Sequence, residues 1–115
     1  MKRIVRSWTC WIRTEHLEIC RQHISPAKLA EMRAAKGNLR ATTLYRELPD
    51  GTTEVVFVSL WDSMDSVTRF AGGDADRRTI LPSQYGFVVD REVVVRHYEA
   101  SESEADPRGP WAGWR

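Results

Sequence analysis

The sequence predicts an α+β domain, a ferredoxin-like βαββαβ chain with one antiparallel sheet. Three observations predict it. Apolar, β-branched runs open and close the ordered part, over residues 4–13 and 91–100. A Pro49-Asp50-Gly51 turn joins two further strand-like runs into a hairpin. The period then changes from two to that of a helix between Val55 and Gly73, in TEVVFVSLWDSMDSVTRFAGG.

Composition bounds the class. A chain of 115 residues supports one domain and one core. Its 42% hydrophobic and 29% charged content suits a soluble globular protein. A net charge of +1 leaves no electrostatic footprint for nucleic acid or an anionic membrane. No apolar run approaches the roughly 20 residues of a membrane span. The start, MKRIVRSW, is basic but lacks the long apolar stretch of a signal peptide. Cys10 and Cys20 fall on different elements without metal or redox spacing. They are expected to be reduced thiols in a cytoplasmic protein.

The first strand, residues 4–13, places Ile4, Arg6, Trp8, Cys10 and Ile12 on one face. Val5, Ser7, Thr9 and Trp11 take the other. Core packing is expected to account for one of Trp8 and Trp11. If Arg6 is on a buried face, it needs an anion, a carboxylate or solvent in a cavity; otherwise it faces water. Thr14 is placed to cap a helix running through His23, with Leu17, Cys20 and Ile24 on its apolar stripe. Ser25-Pro26 interrupts that helix, and a second piece over residues 27–35 ends at Gly37. His16 and His23 read as solvated helix residues, since no Cys, Asp or Glu partner stands at ligand spacing.

The second strand spans residues 38–48, with Leu44 and Tyr45 on opposite faces. The third is apolar on both faces, so its pattern assigns neither to the core. Trp61 stands where the strand ends and a helix begins, a common place for a pocket wall. Asp62 or Ser63 caps that helix, Val67, Phe70 and Ala71 fall at helical spacing, and Gly72-Gly73 stops it. A short helix over residues 74–81, stopped by Pro82, and a loop anchored by Tyr85 and Phe87 lead to the last strand. There Val93, Val95 and His97 share one face, and Val94, Arg96 and Tyr98 the other. His97 has the side chain whose ordinary pKa suits proton transfer. One domain is expected over residues 1–100. Residues 101–115, SESEADPRGPWAGWR, lack periodicity and read as a mobile tail bearing Trp111 and Trp114.

Such a sheet buries one face under its helices. The other is expected to carry much of Trp8, Arg6, Phe57, Trp61 or His97, too large an apolar patch for a monomer. A two-fold homodimer that closes two sheets face to face would cover it and enclose a cavity.

On these residues the chain resembles the antibiotic biosynthesis monooxygenase-like family of dimeric α+β barrels. The resemblance covers residues 4–100. It rests on IVRSW, Gly37-Asn38, the hairpin, VSLWDSMDSVTRFAGGD and the VVRHYEA ending. It implies a homodimer with one pocket per subunit between sheet and helices. Quinone-forming members oxidise polyphenols with dioxygen and no cofactor, using an asparagine, a tryptophan and a tyrosine at this junction. Trp61 matches the tryptophan, while Phe57 and Val67 stand at the two polar positions. Haem-degrading relatives carry an asparagine, a tryptophan and a histidine where this chain has Arg6, Phe70 and Ile80.

The expected function is therefore a small monooxygenase-like enzyme on an aromatic or polyphenolic molecule, with no cofactor and no metal. His97 would accept a proton and Arg6 would hold the developing anion. Trp8, Phe57, Trp61, Phe70 and Tyr85 would line the substrate pocket. The alternative is a dimer that binds a small, possibly haem-like ligand without turning it over. A third reading makes the aromatic face only a subunit interface.

Overall fold

The computed structural model describes residues 2–76, 88–89 and 93–101. Strand β1 (Arg3–Arg13) leads into a helical arm. Strands β2 (Asn38–Glu47) and β3 (Thr52–Trp61) form the hairpin. Helix α2 (Met64–Phe70) follows, and β4 (Val94–Ala100) closes the sheet. The sheet order is β2-β3-β1-β4, every neighbour antiparallel. This is the ferredoxin-like α+β plan. Strands β1 and β3 lie at the centre, where both edges are hydrogen-bonded.

The arm differs from the expected pair of helices. It opens as a 3-10 turn over Thr14–His16, passes through a short α piece over Leu17–Ile19 and a π turn over Cys20–Ile24, and ends as helix α1 (Ser25–Ala34). Ser25-Pro26 does not break it. Pro26 lies in the first turn of α1, and just before it the Ser25 N–H reaches back five residues to the Cys20 carbonyl. Thr14 does not cap the arm either. Arg13 holds the cap position without a side-chain bond, while the Thr14 hydroxyl pairs with the Thr53 hydroxyl at 2.9 Å. Ser63, by contrast, caps α2 by accepting the Ser66 N–H at 3.3 Å.

Residue parity on β1 decides the core. Cys10 and Ile12 join Leu17, Cys20, Met32, Val55 and Phe57 in the main cluster, and Ile4 packs with Trp61 and Val67 in a second. Arg6 and Trp8 share the parity of Ile4 and Cys10, so they face the helices. Their paired residues Ser59, Phe57, His97 and Val95 go with them. This overturns the expectation that Arg6, Trp8, Phe57, Trp61 and His97 lie on the open face. That face instead carries Val5, Trp11, Val56, Val58, Leu44 and Tyr98, the last two about half exposed. The last strand begins at Val94; residues 77–87, 90–92 and 102–115, with Tyr85, Trp111, Trp114 and most of the expected 74–81 helix, lie outside the described residues.

Candidate functional site

Three cross-strand rows stack along the helix-covered face at the β1–β3–β4 centre. The middle row is Ser59, Arg6 and His97, directly paired from β3 through β1 to β4. On one side lies the Phe57, Trp8 and Val95 row, with the Trp8 and Phe57 rings edge to face at 6.0 Å. On the other side lie Trp61 and Ile4, and Trp61 stacks obliquely on Phe70 of α2 at 5.1 Å. The polar row is thus bracketed by aromatic rings, which exclude water and strengthen electrostatic effects within it.

The row holds two unsatisfied atoms. Arg6 is 5% exposed, and its Nε has no hydrogen-bond partner among the described residues. The same is true of His97 Nε2. Burial lowers the Arg6 guanidinium from its ordinary value, with Asp76 pulling it back up. Burial, then the Arg6 charge, lowers His97 below 6.5, again partly offset by Asp76. At neutral pH a charged donor and a neutral imidazole therefore share one wall. Ser59 is fully buried and accepts the Trp61 indole N–H at 2.8 Å. Its own O–H remains able to donate.

Sequence reasoning named Arg6, His97, Trp8, Phe57, Trp61, Phe70 and Tyr85. The structure brings Arg6, His97, Trp8 and Phe57 to adjacent pairs, and stands Trp61 and Phe70 on the next row. Trp61 has no exposed surface and its N–H is committed to Ser59. Two residues were missed. Ser59 could have been found from β3 parity, being opposite Arg6. Asp76 sits in the turn after α2, with its Oδ1 3.7 Å from His97 Nδ1, and no sequence pattern marks it.

Other features carry less chemistry. An open cleft of about 410 Å³ lies at the far end of β1, lined by Arg13, Glu15, Asp50, Gly51, Thr52 and Val89, away from the polar row. Among the described residues no group of three metal-ligating side chains clusters. His23 is exposed, and His16 stands 3.7 Å from Glu15. Both cysteines are free and buried, and burial pushes the Cys10 thiol up to about 12.

Solved structures share this architecture. A Bacillus cereus protein described as a putative antibiotic biosynthesis monooxygenase superposes with a TM-score of 0.55 at 14% identity, over 92% of this chain and 100% of that one. The fold is that of the antibiotic biosynthesis monooxygenase-like proteins. The Mycobacterium tuberculosis protein Rv0793 matches at 0.59 and 18% identity, over 89% of this chain and 98% of its own. A Shewanella oneidensis protein matches at 0.58 and 17% identity, over 86% and 91%. No family model and no curated protein matches the sequence. At these identities the likeness speaks for the fold, and the site must be argued from its own residues. No helix among the described residues is long and apolar enough to cross a membrane.

Proposed function

We propose that the chain is a small cofactor-independent oxygenase that acts on a hydroxylated aromatic molecule held against the Arg6–His97 row. One observation carries the reading. Arg6 Nε and His97 Nε2 are buried, without a hydrogen-bond partner among the described residues, and on paired positions. A buried donor and a buried acceptor side by side call for a group that can satisfy both, and a phenolic hydroxyl does.

The chemistry follows from the charges. The substrate hydroxyl gives its proton to His97 Nε2, and the resulting phenolate oxygen accepts from Arg6 Nε–H. The electron-rich ring then reduces dioxygen. One oxygen atom bonds to ring carbon and displaces a hydrogen; the other takes up two hydrogens and leaves as water, with His97 returning its proton. A phenol plus dioxygen thus gives a quinone plus water. Trp8 and Phe57 supply an apolar wall for the ring, with Trp61 and Phe70 supporting it from behind. Tyr85, also expected in the pocket, lies outside the described residues.

The same proposal covers the assembly. The apolar open face, from Val5 and Val58 to Leu44 and Tyr98, would close on a second copy as a homodimer. Residues 1–100 would form its one domain and 101–115 a trailing tail. Free, buried Cys10 and Cys20 suit the cytoplasm. A second reading, a dimer that binds its aromatic ligand without turning it over, is favoured by Phe57 and Val67, both buried and apolar.

An oxygen-uptake screen with polycyclic phenols, run without added metal or flavin, separates the two. The oxygenase reading expects uptake and a product that has gained one oxygen and lost two hydrogens. His97→Gln should lower the rate by about 100-fold or more. Binding of a phenol with no uptake would leave the ligand-binding reading.

A further inference from the structure

We propose that Asp76 is a positioning residue, whose carboxylate holds the His97 imidazole as the tautomer protonated on Nδ1 and so leaves the Nε2 lone pair free. The position of Asp76 against the imidazole sets the tautomer. The use of that lone pair as a proton acceptor rests on the oxygenase reading above.

A neutral imidazole carries one N–H and one lone pair. His97 Nδ1 faces Asp76 Oδ1 at 3.7 Å, whereas Nε2 is buried without a partner among the described residues. A lone pair on Nδ1 would be repelled by the carboxylate, so the proton belongs there. The separation exceeds a hydrogen bond. The electrostatic preference acts at that range, and such contacts shorten once a ligand is bound.

Among the described residues the other charges near His97 do not compete for the role. Arg6, on the neighbouring strand, has no acceptor. Glu99, two residues along β4, is exposed and paired with Lys2 at 3.2 Å. Arg96 points to the opposite face of the sheet. Asp76 itself is mostly exposed, and His97 is its one ion-pair partner among the described residues. Its place is set by the backbone. Gly72 and Gly73 both adopt positive φ, at 75° and 98°, where other residues are strained, and turn the chain out of α2. The Asp76 N–H then bonds to Asp74 Oδ1 at 3.0 Å.

The test is nitrogen NMR on protein labelled in its three histidines, with the His97 signals assigned from His97→Gln. Above the His97 titration, the wild-type protein should show Nδ1 protonated and Nε2 bare. Asp76→Ala should lose that preference and titrate at lower pH. Asp76→Asn keeps an acceptor oxygen without the charge, and should hold the tautomer while titrating lower. A wild-type protein with Nε2 protonated, or an Asp76→Ala spectrum identical to wild type, would overturn the proposal. The wild-type spectrum decides even if a variant does not fold. A bare Nε2 in a protein that consumes no oxygen with any phenol would count against the oxygenase reading alone.

Discussion

Arg6 and His97 are directly paired on β1 and β4, and each buries a nitrogen that no described residue satisfies. The two are of opposite kind, one a charged donor and one an acceptor. Protein interiors seldom leave such atoms unpaired, because each costs about 1–3 kcal/mol. Here the two unpaired atoms stand on one row, between aromatic rings.

If Arg6 serves a ligand, the fold bears it at a cost. Arg6→Met keeps the stem's packing and removes a desolvated charge, so we expect a gain of about 1 kcal/mol and a Tm rise of about 4–8 °C. Thermal unfolding measures it. A fall in Tm of similar size would mean that Arg6 is a structural ion-pair partner.

Acid should weaken the fold through His97. Its folded-state value is depressed, so the unfolded chain binds a proton more readily. The contribution is complete above 6.5 and is lost as pH falls from there toward the folded value. Denaturant titrations at stepped pH should therefore show stability declining below 6.5, with a smaller slope in His97→Gln. Asp62, lowered by hydroxyls of Ser66 and Ser63, acts only at more acidic pH, near and below 3.8. Equal slopes for wild type and variant between pH 5 and 6.5 would assign the acid response to other groups.

Gly37 holds the start of β2 against α2. Its φ is +91°, and a Cβ there would strike Ser66 Oγ and approach Asp62 Oδ1 to 2.7 Å. Those two groups hydrogen-bond each other at 2.5 Å, so neither yields freely. Gly37→Ala should cost about 2–3 kcal/mol, the left-handed conformation accounting for about 1–2 of it. Adding Ser66→Ala should recover only the part due to the hydroxyl, because Ser66 Cβ at 2.5 Å and Asp62 Oδ1 at 2.7 Å remain in the way. Chemical denaturation of both variants checks the split.

Much of the fold was legible in the sequence because its signals are local. Strand parity grouped Ile4, Arg6, Trp8, Cys10 and Ile12, and Val93, Val95 and His97, as the structure has them. The hairpin turn was legible from Pro49-Asp50-Gly51: Asp50 accepts from the Thr52 N–H at 3.0 Å, and Gly51 has φ +82°. Which face the helices cover was not legible, because Val55 to Leu60 are apolar on both sides. The arm's 3-10 and π turns were hidden too, since apolar spacing does not encode a change in hydrogen-bond reach. Asp76 escaped because its role depends on where a glycine turn delivers it, not on any neighbour in sequence.

The open sheet face offers a test of assembly. Val58 is at its centre, paired with Ser7 on one side and Thr42 on the other. In a face-to-face homodimer Val58→Lys would bury an unpaired charge in each subunit, which is costly enough to split the pair. Light scattering after size exclusion should report a dimer for wild type and a folded monomer for the variant. A wild-type monomer would remove the cover from this face.

The most direct measurement is a double-mutant cycle of phenol binding, by calorimetry, across wild type, Arg6→Met, His97→Gln and the double variant. If one hydroxyl bridges the two side chains, each single change should weaken binding about 10-fold or more, and the double little beyond the worse single, a coupling of about 1–2 kcal/mol. Losses that simply add, or no loss in either single variant, would contradict a shared hydroxyl site at Arg6 and His97.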